Sequence, residues 1–175
     1  MLFPNITSAN LVLKNIFSHD VSMEYIGWLS NPLINQFLEV RHQEVTLDTQ
    51  KKFVDAINSS TDSYIFGIHL NDNLMVGTIK VGPINMFHKS AQIGIMVGAT
   101  EHHGKGIGTE AISSVCFAFK NAKLVRKANA GVLSPNLGSL KAFEKNGFVK
   151  EGIRSQQYLD SSGHGVDEIL LGKLL

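Results

Sequence analysis

A single cysteine, Cys116, stands among 175 residues, so no disulfide framework can be built within the chain. It falls on the apolar side of an amphipathic stretch, where a buried structural thiol is expected rather than a nucleophile. Charge of one sign is scarce as well. Sixteen basic residues face 15 acidic ones for a formal net charge of +1, and lysine and arginine form no block. Nucleic-acid and membrane-surface partners, which need such a block, are therefore not expected. No apolar run approaches the roughly 20 residues of a membrane span. The opening MLFPNITSAN lacks the basic segment and long apolar core of a secretory signal, so a cytoplasmic location is the expectation. Repeats, low-complexity tracts and linkers are missing too. With 43% hydrophobic residues, one domain over 1–175 with one sizeable core is expected.

What the chain does have is concentrated in residues 91–120, AQIGIMVGATEHHGKGIGTEAISSVCFAFK. The compact apolar run 93–97 reads as a buried strand. A polar loop follows, then glycines at alternate positions, Gly104, Gly106 and Gly108. After them Ile107, Ala111, Ile112, Val115, Cys116 and Phe119 recur at three- and four-residue spacing, which predicts an amphipathic helix. In a strand, glycine turn and helix in that order, the free N–H groups of the helix start face a ligand phosphate. Glycines let the backbone approach closely and accept positive φ.

Two phosphate-loop patterns fail here. A Walker loop counted back from Gly104-Lys105 would need glycine at Ala99, and Gly106 stands where Ser or Thr is required. A dinucleotide fingerprint needs G-x-G-x-x-G with an acid about 20 residues on, whereas the spacing is G-x-G-x-G with no such acid.

H-G-K-G-I-G-T-E-A instead resembles the acetyl-CoA pyrophosphate loop of the GNAT family of N-acetyltransferases, Q/R-x-x-G-x-G/A. Gly106 and Gly108 match its two glycines, and His103 replaces the usual Gln or Arg. A second match lies some thirty residues on. Asn136-Leu137-Gly138-Ser139, then Lys145-Asn146-Gly147-Phe148, is similar to the family's N-x-x-S helix ending in K-x-G-F. Local physics agrees, since Asn136 after Pro135 is a good cap and Gly147 suits a left-handed helix end. The resemblance covers most of the chain and is strongest to the branch that includes ribosomal-protein and amino-sugar acetyltransferases.

In chain order, a first strand is predicted over 11–16, then a helix capped at Ser18 or Asp20 and running through Trp28-Leu29. Asn31-Pro32 breaks it, residues 33–40 read as a short helix, and Thr46 caps a third helix ending near 58–60. Strands at 64–70 and 74–81 flank the turn Asn71-Asp72-Asn73, and Gly82-Pro83 ends the second. Beyond the glycine-loop helix come a strand at 125–133, a helix at 136–146, and strands at 149–159 and 166–171. The order predicts an α/β fold. The resemblance implies a mixed, mostly antiparallel seven-stranded sheet with helices on both faces, its fourth and fifth strands splayed around the pantetheine arm.

By the same resemblance, acetyl-CoA is the co-substrate and no metal is needed. His103, Gly104, Lys105, Gly106, Ile107, Gly108 and Thr109 are expected at the pyrophosphate. Met96, Val97 and Gly98 are expected to offer main-chain hydrogen bonds to pantetheine and thioester, and Asn136 and Ser139 to face the cofactor arm. The family's thiolate-protonating tyrosine falls at Phe143, which has no proton to give, so Ser139 is the candidate catalytic residue. The glutamate that many relatives use as base falls at Gln92, which has no basicity. Glu101, His102, His103 and His88 border loops without a compelling claim, and Asp167 and Glu168 read as ties of the last hairpin. The expected reaction is direct acetyl transfer to the primary amine of a small molecule by a monomer or homodimer. An amino-sugar nucleotide is the favoured acceptor, with His88, Lys89 and Arg154 as candidate phosphate contacts. A protein N-terminus is the alternative, and a non-catalytic acyl-CoA-binding module is the third.

Overall fold

Alternating apolar residues assemble the sheet, and the computed structural model describes residues 2–175. The strands are β1 (Ile6–Thr7), β2 (Leu11–Asn15), β3 (Tyr64–Leu70), β4 (Met75–Asn85), β5 (Ser90–Val97), β6 (Lys127–Leu133), β7 (Val149–Leu159) and β8 (Gly165–Leu174). They form one sheet in the order β1-β2-β3-β4-β5-β6-β8-β7. Every neighbouring pair is antiparallel except β5 and β6. The helices are α1 (Met23–Ser30), α2 (Pro32–Asn35), α3 (Leu47–Ser59), α4 (Ile107–Asn121) and α5 (Leu137–Lys145). No helix among the described residues is long and apolar enough to cross a membrane.

The sheet has eight strands, not seven. The addition is β1, whose Ile6 and Thr7 pair with Leu13 and Val12. Two residues are too few to leave an alternation in the sequence. Three other boundaries move for local reasons. The first helix starts at Met23 because Ser22, not Ser18 or Asp20, takes the Tyr25 N–H at 3.2 Å, and residues 18–20 form one 3-10 turn. The helix predicted at 33–40 closes after Asn35, and residues 39–42 form a separate 3-10 turn. β4 continues past Gly82-Pro83 because an irregularity between Val81 and Ile84 absorbs the proline, and pairing resumes at Ala91 and Ser90.

Helices cover both faces. On one, Phe119 of α4 meets Tyr64 and Phe66 edge-on at 5.3 and 6.3 Å and stacks on Phe3 at 4.3 Å. With Phe119 almost wholly buried, truncating it to alanine would cost about 3–5 kcal/mol. On the other face Tyr25 of α1 reaches Thr78, and the buried Gln50 of α3 donates to the Tyr25 hydroxyl at 3.0 Å.

The feature that positions the site is a short ladder. β5 and β6 pair in parallel only from Ser90 to Gln92 and from Lys127 to Asn129. Past that point β5 stays on β4, where Ile95, Met96 and Val97 still oppose Ile79, Thr78 and Gly77. β6 stays on β8 as far as Leu133, opposite Glu168. The two strands diverge between these partners, and a gap opens at their C-terminal ends.

Candidate active site

At the mouth of that gap, α4 begins with Gly106 at φ +84° after Gly104 at φ +75°. Both values lie in the left-handed region, and a side-chain carbon added at either glycine would meet nothing within 4 Å. No side chain caps the helix, and its first internal bond is Glu110 N–H to the Gly106 carbonyl. None of the backbone N–H groups of residues 104–109 donates a hydrogen bond among the described residues. Such a run of free donors at a helix start suits a diphosphate. Lys141 and Lys145, one turn apart on α5, line the same cleft and add positive charge.

The cleft encloses about 440 Å³ and follows the gap from the glycine loop to Asn136 and Ser139. Nearly all the residues expected at the cofactor line it: Met96, Val97, His103, Gly104, Gly106, Ile107, Gly108, Thr109, Asn136 and Ser139. Lys105 does not, and Gly98 does not. Gly98 is a correction with a clear cause. Its N–H donates to the Val76 carbonyl at 2.8 Å, and an added side-chain carbon would lie 2.1 Å from the Trp28 indole. The glycine is required by tryptophan packing and has no free N–H to offer a cofactor.

The same bond fixes which backbone groups face the gap. Strand amides alternate sides, so Met96, two residues before Gly98, also points its N–H and C=O at β4. The N–H and C=O groups of Ile95 and Val97 face the gap instead. Of the three residues expected to offer main-chain groups there, only Val97 turns them to the gap, and Ile95, not singled out in the sequence, does so too. His103 already uses one of these groups, its Nε2–H donating to the Val97 carbonyl at 2.8 Å and tying the loop to the end of β5.

Asn136 accepts the Ser139 N–H on Oδ1 at 3.1 Å and caps α5. The Ser139 hydroxyl has no hydrogen-bond partner among the described residues. Asn146, unremarked in the sequence, ends α5 and donates to the Thr109 and Ala142 carbonyls at 2.9 and 2.8 Å, locking α5 to the first turn of α4.

A second chamber of about 160 Å³ lies deeper in the gap and shares Phe37, Leu38, Ile95, Asn136 and Ser139 with the cleft. Phe143, buried against Phe148 with ring centres 5.0 Å apart, forms part of its wall. Its ionisable lining is Glu39, Tyr158 and Glu168. Burial, with the Glu168 and Glu39 charges nearby, holds the Tyr158 phenol above its ordinary pKa, so it stays a neutral donor. Arg41 straps this wall together by donating to the Gln36, Leu38 and Leu159 carbonyls at 3.0 to 3.2 Å.

The remaining candidates sit elsewhere. Gln92 is exposed beside Asn129 and lines neither cavity. Glu101 is exposed, 3.9 Å from His102, and only His102 borders the cleft. His88 and Lys89 occupy the turn before β5, where Arg126 binds their carbonyls. Asp167 ties the hairpin by accepting the Gln156 N–H at 2.8 Å, as expected. Glu168 does pair with Arg154 at 3.0 Å, yet it also faces the chamber. A strand sequence D-E places one acid on each face but does not say which face is inside. Cys116 is buried, and burial raises its pKa to about 11, so it supplies no nucleophile.

The sequence model of the acetyltransferase (GNAT) domain family matches residues 10–149. A probable N-acetyltransferase of Bacillus subtilis, YjcK, is 37% identical over 125 residues, covering 67% of this chain and 68% of that protein. The protein MJ1062 of Methanocaldococcus jannaschii is 28% identical over 142 residues, 81% of this chain. The matched part spans only 28% of the length of MJ1062. Among solved structures, the ribosomal L7/L12 α-N-protein acetyltransferase RimL in complex with coenzyme A superposes with a TM-score of 0.85. It is 19% identical and covers 98% of both chains.

Proposed function

The chain belongs to the GNAT acetyltransferases and uses acetyl-CoA, and from that premise we propose that its acceptor is the primary amine of a small molecule. The observation that carries this reading is the chamber of about 160 Å³ joined to the cofactor cleft at Ser139 and Ile95. A thioester carbon held at that junction meets an amine entering from the chamber side.

Each part of the site then has a task. The free N–H groups of residues 104–109, with Lys141 and Lys145, hold the pyrophosphate. The gap-facing groups of Ile95 and Val97 align the pantetheine arm, and binding there turns His103 away from the Val97 carbonyl. The unpartnered Ser139 hydroxyl donates to the sulfur as negative charge develops on it. Buried Phe143 keeps that region dry without acting as an acid.

The nucleotide half of an amino-sugar nucleotide finds little support, because His88 and Lys89 lie away from both cavities and Arg154 is held by Glu168. The chamber's charged lining is carboxylate, which favours an amine without a phosphate group. A screen of amino sugars, alkyl diamines, amino acids and short peptides, following free CoA thiol, tests the proposal. Turnover with small amines and none with peptides is the expected result. Turnover confined to peptides would replace it with protein N-terminal acetylation. Tight acetyl-CoA binding with no thiol release from any amine would mark a non-catalytic module.

A further inference from the structure

We propose that Glu168 is the acceptor-side carboxylate of this enzyme, binding the acceptor ammonium through Oε1 and accepting its proton. The inference rests on the small-amine reading above and deepens it. Glu168 is 8% exposed, and its Oε2 accepts from Arg154 Nη1 at 3.0 Å. Its Oε1 has no hydrogen-bond partner among the described residues, although the side chain lines the chamber. That oxygen is not sealed in the core but opens onto the chamber, where a ligand N–H can reach it.

The strand opposite makes room for that oxygen. An added side-chain carbon at Gly131 on β6 would lie 2.0 Å from Oε1 and 3.0 Å from the carboxyl carbon. Only glycine there leaves the carboxylate where it is. The other charged or titratable groups around it are Arg154 and Tyr158 from β7, and Glu39 with its partner Arg41 from the turn after α2. The linings from β5, β6 and α5 are uncharged. Arg154 pairs with Oε2 and leaves Oε1 free, Tyr158 offers a neutral hydroxyl, and Glu39 adds a carboxylate 3.8 Å from Arg41. That set fits an alkylammonium and repels an anion.

An ammonium cannot attack a thioester, since its nitrogen has no free electron pair. One N–H proton passes to Glu168 and the freed pair bonds to the acetyl carbon. The C–S bond breaks with its electrons on sulfur, and a second nitrogen proton goes to that sulfur. The products are the amide and free CoA thiol, and Glu168 returns its proton to water. This supplies the base that Gln92 cannot.

Two readouts test the assignment. The first needs no turnover: binding of n-butylammonium and of its neutral counterpart n-butanol, followed by NMR on the CoA-loaded protein. Wild type is expected to prefer the ammonium at least tenfold, and Glu168→Gln to lose that preference. Equal preference in both proteins would overturn the proposal. The second uses whichever amine the screen identifies. Glu168→Gln is expected to lower kcat/KM at neutral pH by about 100-fold or more, as removal of a general base does. That deficit should shrink as pH rises and free amine replaces ammonium. A variant within threefold of wild type at neutral pH overturns the proposal, as does a deficit that ignores pH. If no amine turns over, the small-amine reading falls while the ammonium-binding arm still decides on Glu168. Should Glu168→Gln fail to fold, Gly131→Ala displaces the carboxylate from the facing strand. It is expected to reproduce the loss with acetyl-CoA affinity intact. Arg154→Met separates a hairpin tie from this role. A merely structural Glu168 predicts equal fall in Tm and unchanged ammonium preference for both variants.

Discussion

Replacing Gly106 with aspartate sets a charge against the proposed diphosphate site at a position where the fold can tolerate it. An added side-chain carbon meets nothing within 4 Å, so packing is untouched. The cost is conformational. An L residue at φ +84° gives up about 1–2 kcal/mol, less for Asp than for most. A negative charge at a helix N-terminus returns about 0.3–1 kcal/mol. The net is about 1 kcal/mol, or roughly 2–4 °C in Tm for a chain of this length. Binding should suffer more. A carboxylate about 5 Å from one phosphate charge repels it by about 0.8 kcal/mol in water and about 3 kcal/mol at an effective dielectric near 20. That is about 4- to 150-fold in acetyl-CoA Kd, read by titration calorimetry. Gly106→Asn shares the backbone strain without the charge and should bind within a few-fold of wild type. The gap between the two variants should narrow between about 0.1 and 1 M salt, as the screening length falls from ~10 to ~3 Å. If folded Gly106→Asp binds acetyl-CoA as tightly as Gly106→Asn, the free amides of residues 104–109 do not hold the phosphates, and the placement of the cofactor is wrong.

Ser139→Ala is expected to lower kcat about 5- to 150-fold when chemistry limits turnover, the worth of one charge-assisted hydrogen bond of about 1–3 kcal/mol, with acetyl-CoA affinity unchanged. Full kcat in that variant would make Ser139 an ordinary helix residue. Burial pushes the Glu110 carboxyl up, but hydrogen bonds from Asn10 and Ser8 outweigh it and leave the pKa below the usual 4.5. Its stabilisation is therefore present above the unfolded value and lost as pH falls through the lowered folded one. Glu110→Gln should reduce Tm at neutral pH by a few degrees, for a loss of about 1 kcal/mol, and the gap to wild type should close progressively as pH falls below 4.5. A gap independent of pH would refute the linkage. With its pKa raised to about 11, Cys116 is about one part in a thousand thiolate at pH 8, so a disulfide reagent should label it only as fast as the protein opens. Rapid stoichiometric labelling of the native protein would contradict its burial.

The glycine loop and the α5 motif were legible because their demands are local. Positive φ at Gly104 and Gly106, a cap at Asn136 and an apolar stripe ending at Phe119 each leave a mark within a few residues. What the sequence could not show depends on partners far along the chain. Gly98 reads like one more cofactor glycine until Trp28, seventy residues earlier, is found against it. Met96 and Ile95 differ as backbone donors only through a register with β4 that no single strand records. The first helix moved by several residues because three polar candidates for its cap lie close together, and tertiary packing chose Ser22. Glu168 was read as a hairpin tie because its pairing with Arg154 is a neighbour effect, whereas its second role needs Gly131 across the sheet.

The division of the sheet accounts for the division of chemical labour. β5 is held by β4, and Gly98 and Ala99 both donate to Val76 just past its end. β6 is held by β8, and Ser134 donates to Asp167 just past its own end. Among the described residues, the strand pairing between the halves is confined to the three-residue ladder from Ser90 to Gln92 at their base. The gap-facing amides therefore belong to β5 and α4, and the ionisable chamber groups to β7, β8 and the turn after α2. α5 crosses between them, with Asn146 anchored on Thr109 and Ser139 lining both cavities. A thioester placed by one half and an ammonium received by the other can meet only where both linings coincide, beside Ile95 and Ser139. The departing sulfur is then at the helix whose free hydroxyl can receive it, and the incoming nitrogen is on the side of the unpartnered carboxylate oxygen.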